Sequence, residues 1–155
     1  MKFVIFSLCF TIIHALAYTI AGAISFRISK ELYESKSRLM DYLRDMSNES
    51  EKKVVEKRFF PSQLVRGLLM SVVLYPLLAP LSNLSLIIRF TFFTSLMFIF
   101  THFSSAAPCP DNIEGFIYMK KRYFSKSSFF KFQFEMLLYS MIFALLLSWI
   151  FFELF

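Results

Sequence analysis

Four long stretches of the chain, about 3–26, 62–81, 84–103 and 132–154, are almost free of charge, and two polar segments, 27–61 and 104–131, set them apart. A bilayer core roughly 30 Å thick needs about 20 helical residues to cross, because backbone groups in hydrocarbon must find their hydrogen bonds within their own segment. Each stretch meets that length. The pattern therefore predicts an all-α integral membrane protein: four transmembrane helices in a bundle, with a cytoplasmic amphipathic helical arm after the first span and a short interfacial helix before the fourth. Residues 1–155 form a single membrane domain in this reading. Lys2, the apolar run and Ala15-Leu16-Ala17 imitate a secretory leader, but the run continues to Phe26, so a retained anchor is expected.

Helices in lipid gain nothing hydrophobic by associating, so small residues at four-residue spacing mark the faces where backbones approach. Ala17, Ala21 and Ser25 form one such stripe, Gly67 and Ser71 a second, Ser140, Ala144 and Ser148 a third, and Thr91 with Ser95 a weaker fourth. Pro76 and Pro80 each remove a backbone donor and are expected to end the second helix, after which Ser82 and Asn83 turn the chain.

In the first polar segment Ile28, Leu32, Leu39, Leu43 and Met46 recur at steps that fall on one helix face, the expected partner-docking face of the arm. SNESE, residues 47–51, reads as the break, and Pro61 as the point of return to the bilayer. Between Arg27 and Arg58 nine basic residues face seven acidic ones, a balance that favours a protein partner or self-association over anionic lipid alone. In the second segment Asp111 and Glu114 have capping-box spacing, which starts a helix near Asn112. Ile113, Phe116, Ile117, Tyr123 and Phe124, with Lys120, Lys121 and Arg122 close by, suit a helix lying in the membrane interface.

Composition agrees with burial in lipid: 57% of residues are hydrophobic and 18% charged, and the mean hydropathy is +0.57. The 22 Phe residues accompany much Ile, Lys and Ser, a codon-bias signature more than an aromatic binding surface. The net charge of +6 does not point to nucleic acid, because 14 of the 17 basic residues lie in the two polar segments. Basic loops stay on the cytoplasmic side, so both long loops are expected inward and both termini outward, in a bacterial cytoplasmic membrane. Cys9 and Cys109 then lie on opposite sides and form no disulfide.

Ionisable residues within spans are costly and so are candidates for function. They are His14, Arg66, Arg89, His102 and Glu135. In this topology Arg66, His102 and Glu135 fall near the inward ends of their spans, beside Cys109, Asp111, Asn112 and Glu114, and the seven residues form a candidate polar corner. Arg66 and Glu135 either pair with each other or snorkel to water. His14, mid-span, is expected to bond Thr11, Tyr18 or Thr94, and Arg89 to snorkel outward. Spacing among His102, Cys109, Asp111 and Glu114 lacks the tight repeats of metal sites, so no metal and no cofactor is expected. There is no Gly-rich phosphate loop, no H-E-x-x-H and no spaced nucleophile and base. The reading favoured is a non-catalytic membrane subunit or accessory protein that docks a larger complex through both its arm, Ile28 to Met46, and its interfacial loop, Pro108 to Phe124; its partners are membrane lipids and other membrane subunits or a second copy of itself. A small oligomeric transporter or channel, an inner-face lipid or redox enzyme and a toxin-immunity membrane protein stand behind it.

Overall fold

The computed structural model describes residues 2–34, 43–107, 109–123 and 126–154. Among them every regular element is helical. The helix α1 spans Lys2–Ile28, α2 Lys30–Tyr33, α3 Glu49–Val73, α4 Leu78–Ser82, α5 Leu86–Ser95, α6 Ile113–Tyr118 and α7 Lys126–Leu154. A 3₁₀ turn, Tyr75–Leu77, joins α3 to α4, and α5 runs on as a π-helical segment, Leu96–Phe103. Three helices are long and apolar enough to cross a membrane, or four if α3 and the bent turn after it count as one span.

Exposed side chains along the middle of α1 and α7 are largely apolar. On α1, Val4, Leu8, Ile12, Leu16, Ile20 and Ile24 follow one another at four-residue steps on the outer face. Phe130, Phe134, Leu137, Met141, Leu145 and Trp149 follow at steps of three or four on α7. The buried face of α1 instead includes Ser7, His14 and Ser25, and α7 buries Tyr139, Ser140 and Ser148. A water-soluble helix places its charge outside and its hydrocarbon inside; here the hydroxyls are inside.

Packing centres on α1, which meets α3 on one side and α7 on the other, while α7 also meets α5. The small-residue stripes explain how. Ala17, Ala21, Ser25, Gly67, Ser71, Ser140, Ala144 and Ser148 are all buried, whereas Thr91 is exposed and Ser95 half-buried. A Cβ on Gly67 would stand 2.9 Å from Thr11 Cα, so only glycine permits the observed approach of α3 to α1. Between the stripes the helices interlock through phenylalanine: Phe6 meets Phe151 with ring centres 5.0 Å apart, and Phe10 meets Phe143 at 4.9 Å. Edge-to-face pairs of this kind contribute about 0.5–1.5 kcal/mol beyond the area they bury. Part of the phenylalanine content therefore forms the core.

Two helix starts differ from the sequence pattern. The second apolar stretch is the end of a longer helix: α3 begins at Glu49, and Pro61 sits inside it without breaking it. Asn48 caps it, its side chain accepting from the Ser50 and Glu51 N–H groups, so SNESE is the start of this helix. The helix does stop before Pro76, with a bend of 52° into the following turn and α4. The fourth long helix likewise starts at Lys126, earlier than the apolar count alone indicates.

The arm also departs from expectation. α1 ends at Ile28 and the chain breaks at Ser29 before α2. Ile28 is exposed and Leu32 buried, so the two do not share a docking face. The Met46 N–H donates to the Tyr33 carbonyl at 3.0 Å, whereas a straight helix would hold residues 13 apart roughly 20 Å away from each other. Leu43 and Met46 are half-buried near that contact, and Leu39 lies outside the described residues.

Candidate functional site

The loop before α7 is organised by one side chain. Asn112 Oδ1 accepts from the Cys109 N–H at 3.0 Å and the Gly115 N–H at 2.8 Å, and Nδ2 donates to the carbonyls of Ser105 at 3.3 Å and Ala107 at 2.7 Å. An amide side chain has two donors and a carbonyl with two lone pairs, so all its capacity is in use. Asn112, not Asp111, is thus the N-cap of α6. Gly115 is required because a Cβ there would collide with the Cys109 carbonyl.

Freed from capping, Asp111 turns to the protein interior. Its carboxylate lies 3.7 Å from His102 Nδ1, and its carbonyl accepts from Gln133 Nε2 of α7 at 2.5 Å. Burial holds the Asp111 carboxyl above the usual carboxylate range, an effect that His102 opposes. The Cys109 thiol is likewise pushed up, first by partial burial and then by Asp111. Cys109 itself is exposed.

Glu135 is engaged by Tyr33, whose hydroxyl donates to it at 2.7 Å. Burial, with Glu135 adding to it, raises the Tyr33 hydroxyl above its ordinary value. Lys131 of α7 pairs with Glu31 of α2. These two contacts hold α2 against the start of α7, which is why Leu32 is buried. Arg66 does not pair with Glu135; its guanidinium stands 5.9 Å from the Tyr18 ring.

The predicted polar corner is therefore partly assembled. His102, Asp111 and Asn112 come together with Gln133, and Glu135 joins Tyr33 instead of Arg66. Glu114 is half-buried in the first turn of α6, and Arg66 lines a separate cleft on α3. Among the described residues no group of three or more His, Cys, Asp and Glu side chains is arranged to hold a metal ion.

A second polar cluster lies deeper. His14 Nδ1 and Tyr139 Oη are 2.7 Å apart, and His14 Nε2 lies 3.1 Å from Gln63 Oε1. A carbonyl oxygen only accepts, so Nε2 carries the proton and Nδ1 accepts from the tyrosine hydroxyl. Met97 Sδ is 3.6 Å from that hydroxyl. This imidazole joins α1, α3 and α7 at one point. The expected partners Thr11 and Thr94 do not serve it: both hydroxyls are buried without a partner. Nearer the other end, Ser7 Oγ is 2.7 Å from Ser71 Oγ and 2.6 Å from Tyr75 Oη. Arg89 does not snorkel; it is buried with its guanidinium 5.0 Å from the Phe152 ring.

Gln63, Tyr139, Gln133 and Tyr33 are the residues that sequence reasoning missed. Uncharged amide and phenol side chains carry no local pattern that sets them apart. The signal available was His14 itself, since a buried imidazole requires two partners, but periodicity could not say from which helices.

What the arrangement does chemically is to satisfy polar groups across helix contacts. His14, Tyr139, Asn112 and Glu135 are each committed to another protein group. Comparison with family models, curated proteins and solved structures gave no match for the chain.

Proposed function

We propose that this protein is a non-catalytic accessory subunit of a larger membrane complex, spanning a bacterial cytoplasmic membrane four times and docking its partner through the loop 104–131. The observation that carries the reading is a ridge of exposed apolar side chains, Ile113, Phe116, Ile117 and Tyr118, on a helix that Asn112 locks in place. Lys120, Lys121 and Arg122 follow it directly. Apolar groups held outward on a pre-ordered element bind without the cost of ordering a loop, which favours association. Leu32 is occupied within the chain, so docking is assigned to this loop and not to the arm.

The membrane placement is supported by the apolar outer faces of α1 and α7 and by polar contacts between helices such as His14 with Tyr139 and Gln63. Orientation rests on the basic residues: with 14 of 17 in the two long loops, both loops belong in the cytoplasm and both termini outside. An impermeant maleimide should label Cys109 of a Cys9→Ser variant only in inside-out vesicles, and labelling of right-side-out vesicles reverses the orientation.

A photo-crosslinking amino acid at Ile117 tests the docking. In cells it should give one discrete protein adduct, which Tyr118→Asp, at a more exposed position, weakens while the detergent-solubilised protein keeps its melting temperature. Adducts to lipid alone would remove the docking reading and leave an interfacial helix.

A further inference from the structure

The helix α3 carries its cations and its apolar surface in a set order. Arg58, Ser62 and Arg66 are spaced by four residues on one stripe, and Val65, Leu69 and Val73 continue beside it toward the bend. Three cavities open along this side. One, of about 400 Å³, is bounded by Val54, Lys57, Arg58, Pro61 and Ser62. The next, of about 640 Å³, shares Pro61 and Ser62 and passes Arg66, Leu69 and Met70 to reach Thr101 on the π-helical segment. The last, of about 150 Å³, continues from Met70 and Thr101 between Val73, Leu74, Leu96 and Met97. Shared walls make them one trough, cationic at the Lys57 end and lined by hydrocarbon at the Leu96 end.

Arg66 stands at the transition between the two. Among the described residues no carboxylate pairs with it, and Glu135 is engaged by Tyr33. The Tyr18 ring beside the guanidinium supplies no negative charge. An apolar peptide could fill the lower trough but would leave this cation desolvated and uncompensated. A phosphodiester answers both ends, because guanidinium groups take phosphate oxygens in bidentate fashion and an acyl chain suits the remainder.

We infer that the trough between α3 and the π-helical segment binds one anionic phospholipid, its phosphate among Lys57, Arg58, Ser62 and Arg66 and one acyl chain along Leu69, Met70, Val73 and Leu96. The inference rests on the membrane placement proposed above and is independent of the docking ridge. The cations lie at the Lys57 end, so the lipid head is placed there and the acyl chain toward Leu96.

The test is retention of lipid by the full-length protein, reconstituted in nanodiscs of equal phosphatidylglycerol and phosphatidylcholine and then released into mild detergent for native mass spectrometry. The wild type should keep one phosphatidylglycerol, favoured over phosphatidylcholine by about tenfold, the order of one charge-assisted contact. Arg66→Gln should bring that preference close to unity. Leu69→Trp, at an exposed position that leaves the core untouched, should fill the cleft and lower retention of both lipids. Equal retention by the wild type, an unchanged preference in Arg66→Gln, or full retention in Leu69→Trp each overturns the site. Displacement of the retained lipid by millimolar inorganic phosphate would also overturn it, because the ligand would then be the free anion. A protein that fails to enter the discs removes the membrane placement and this site together, whereas entry without preference removes the site alone.

Discussion

His14 and Tyr139 are 125 residues apart in sequence and meet at 2.7 Å, which ties the first long helix to the last. Gln63 holds the opposite ring nitrogen at 3.1 Å, so one imidazole spans three helices. Interhelical hydrogen bonds in membranes contribute about 0.6 kcal/mol on average and up to about 2 kcal/mol. Tyr139→Phe should therefore destabilise the detergent-solubilised protein by roughly 1 kcal/mol. His14→Ala should cost at least twice that, because it strands both partners and leaves a cavity. Thermal unfolding of the two single variants and the double variant checks this: the pair should be less than additive, and strict additivity would mean the two residues are not coupled.

Gly67 and Gly22 lie in helices of similar length but should respond oppositely to alanine. Replacing glycine by alanine within a helix ordinarily gains about 0.8–1 kcal/mol, and nothing within 4 Å of Gly22 opposes it. At Gly67 a Cβ would meet Thr11 Cα at 2.9 Å and His14 Cδ2 at 3.2 Å. Backbone cannot move aside as a side chain can, so the clash outweighs the propensity gain and a net loss of about 1–3 kcal/mol is expected. A lower melting temperature for Gly67→Ala alongside an unchanged or higher one for Gly22→Ala is the predicted outcome; equal responses would contradict the close α1–α3 contact.

Asn112→Asp tests whether the loop around α6 depends on a single amide. The change removes both donors and sets a carboxylate against the Ser105 and Ala107 carbonyls, at a cost of about 2–5 kcal/mol. That cost falls on the loop first, because the long helices bury a separate core. Protease cleavage between Ser104 and Lys121 should become faster while global unfolding changes little. Cleavage at the wild-type rate would show that another contact orders the loop.

Cys109 offers a pH readout of the same loop. Its thiol is pushed up by partial burial and by Asp111, and only the thiolate reacts. In a Cys9→Ser background the maleimide rate should therefore reach half its maximum at a higher pH than for a free cysteine. Asp111→Asn should move that midpoint down, since the nearby negative charge is gone. A midpoint that stays put would separate Asp111 from the thiol electrostatically.

Much of the architecture is readable from local pattern. Helical character, the stop before Pro76, the short helix near Asn112 and three small-residue faces each depend on residues a few positions apart, where spacing and backbone chemistry decide. Boundaries were less legible for the same reason. Apolar content marks where a helix becomes lipid-compatible, but α3 begins at Glu49 because Asn48 caps it, and hydropathy does not record a cap. The cap of α6 moved by one residue, from Asp111 to Asn112, because an amide can serve two carbonyls and two N–H groups at once while a carboxylate cannot.

The candidate site was legible only as a set of residue types. Arg66, His102, Cys109, Asp111, Asn112, Glu114 and Glu135 were grouped by depth along their helices, and depth does not determine rotation about the helix axis. Rotation sends Arg66 to the cleft facing the π-helical segment and turns Glu135 to Tyr33. What the sequence by itself determined is that the chain is helical and apolar enough to enter a membrane, since those properties follow from composition within each segment. Only the tertiary structure decided that His14 bonds Tyr139 and Gln63, that Leu32 is spent inside the chain and that Arg66 meets no carboxylate among the described residues. Each of those outcomes depends on which faces of distant helices meet, and that is settled by how closely small residues such as Gly67 let backbones approach.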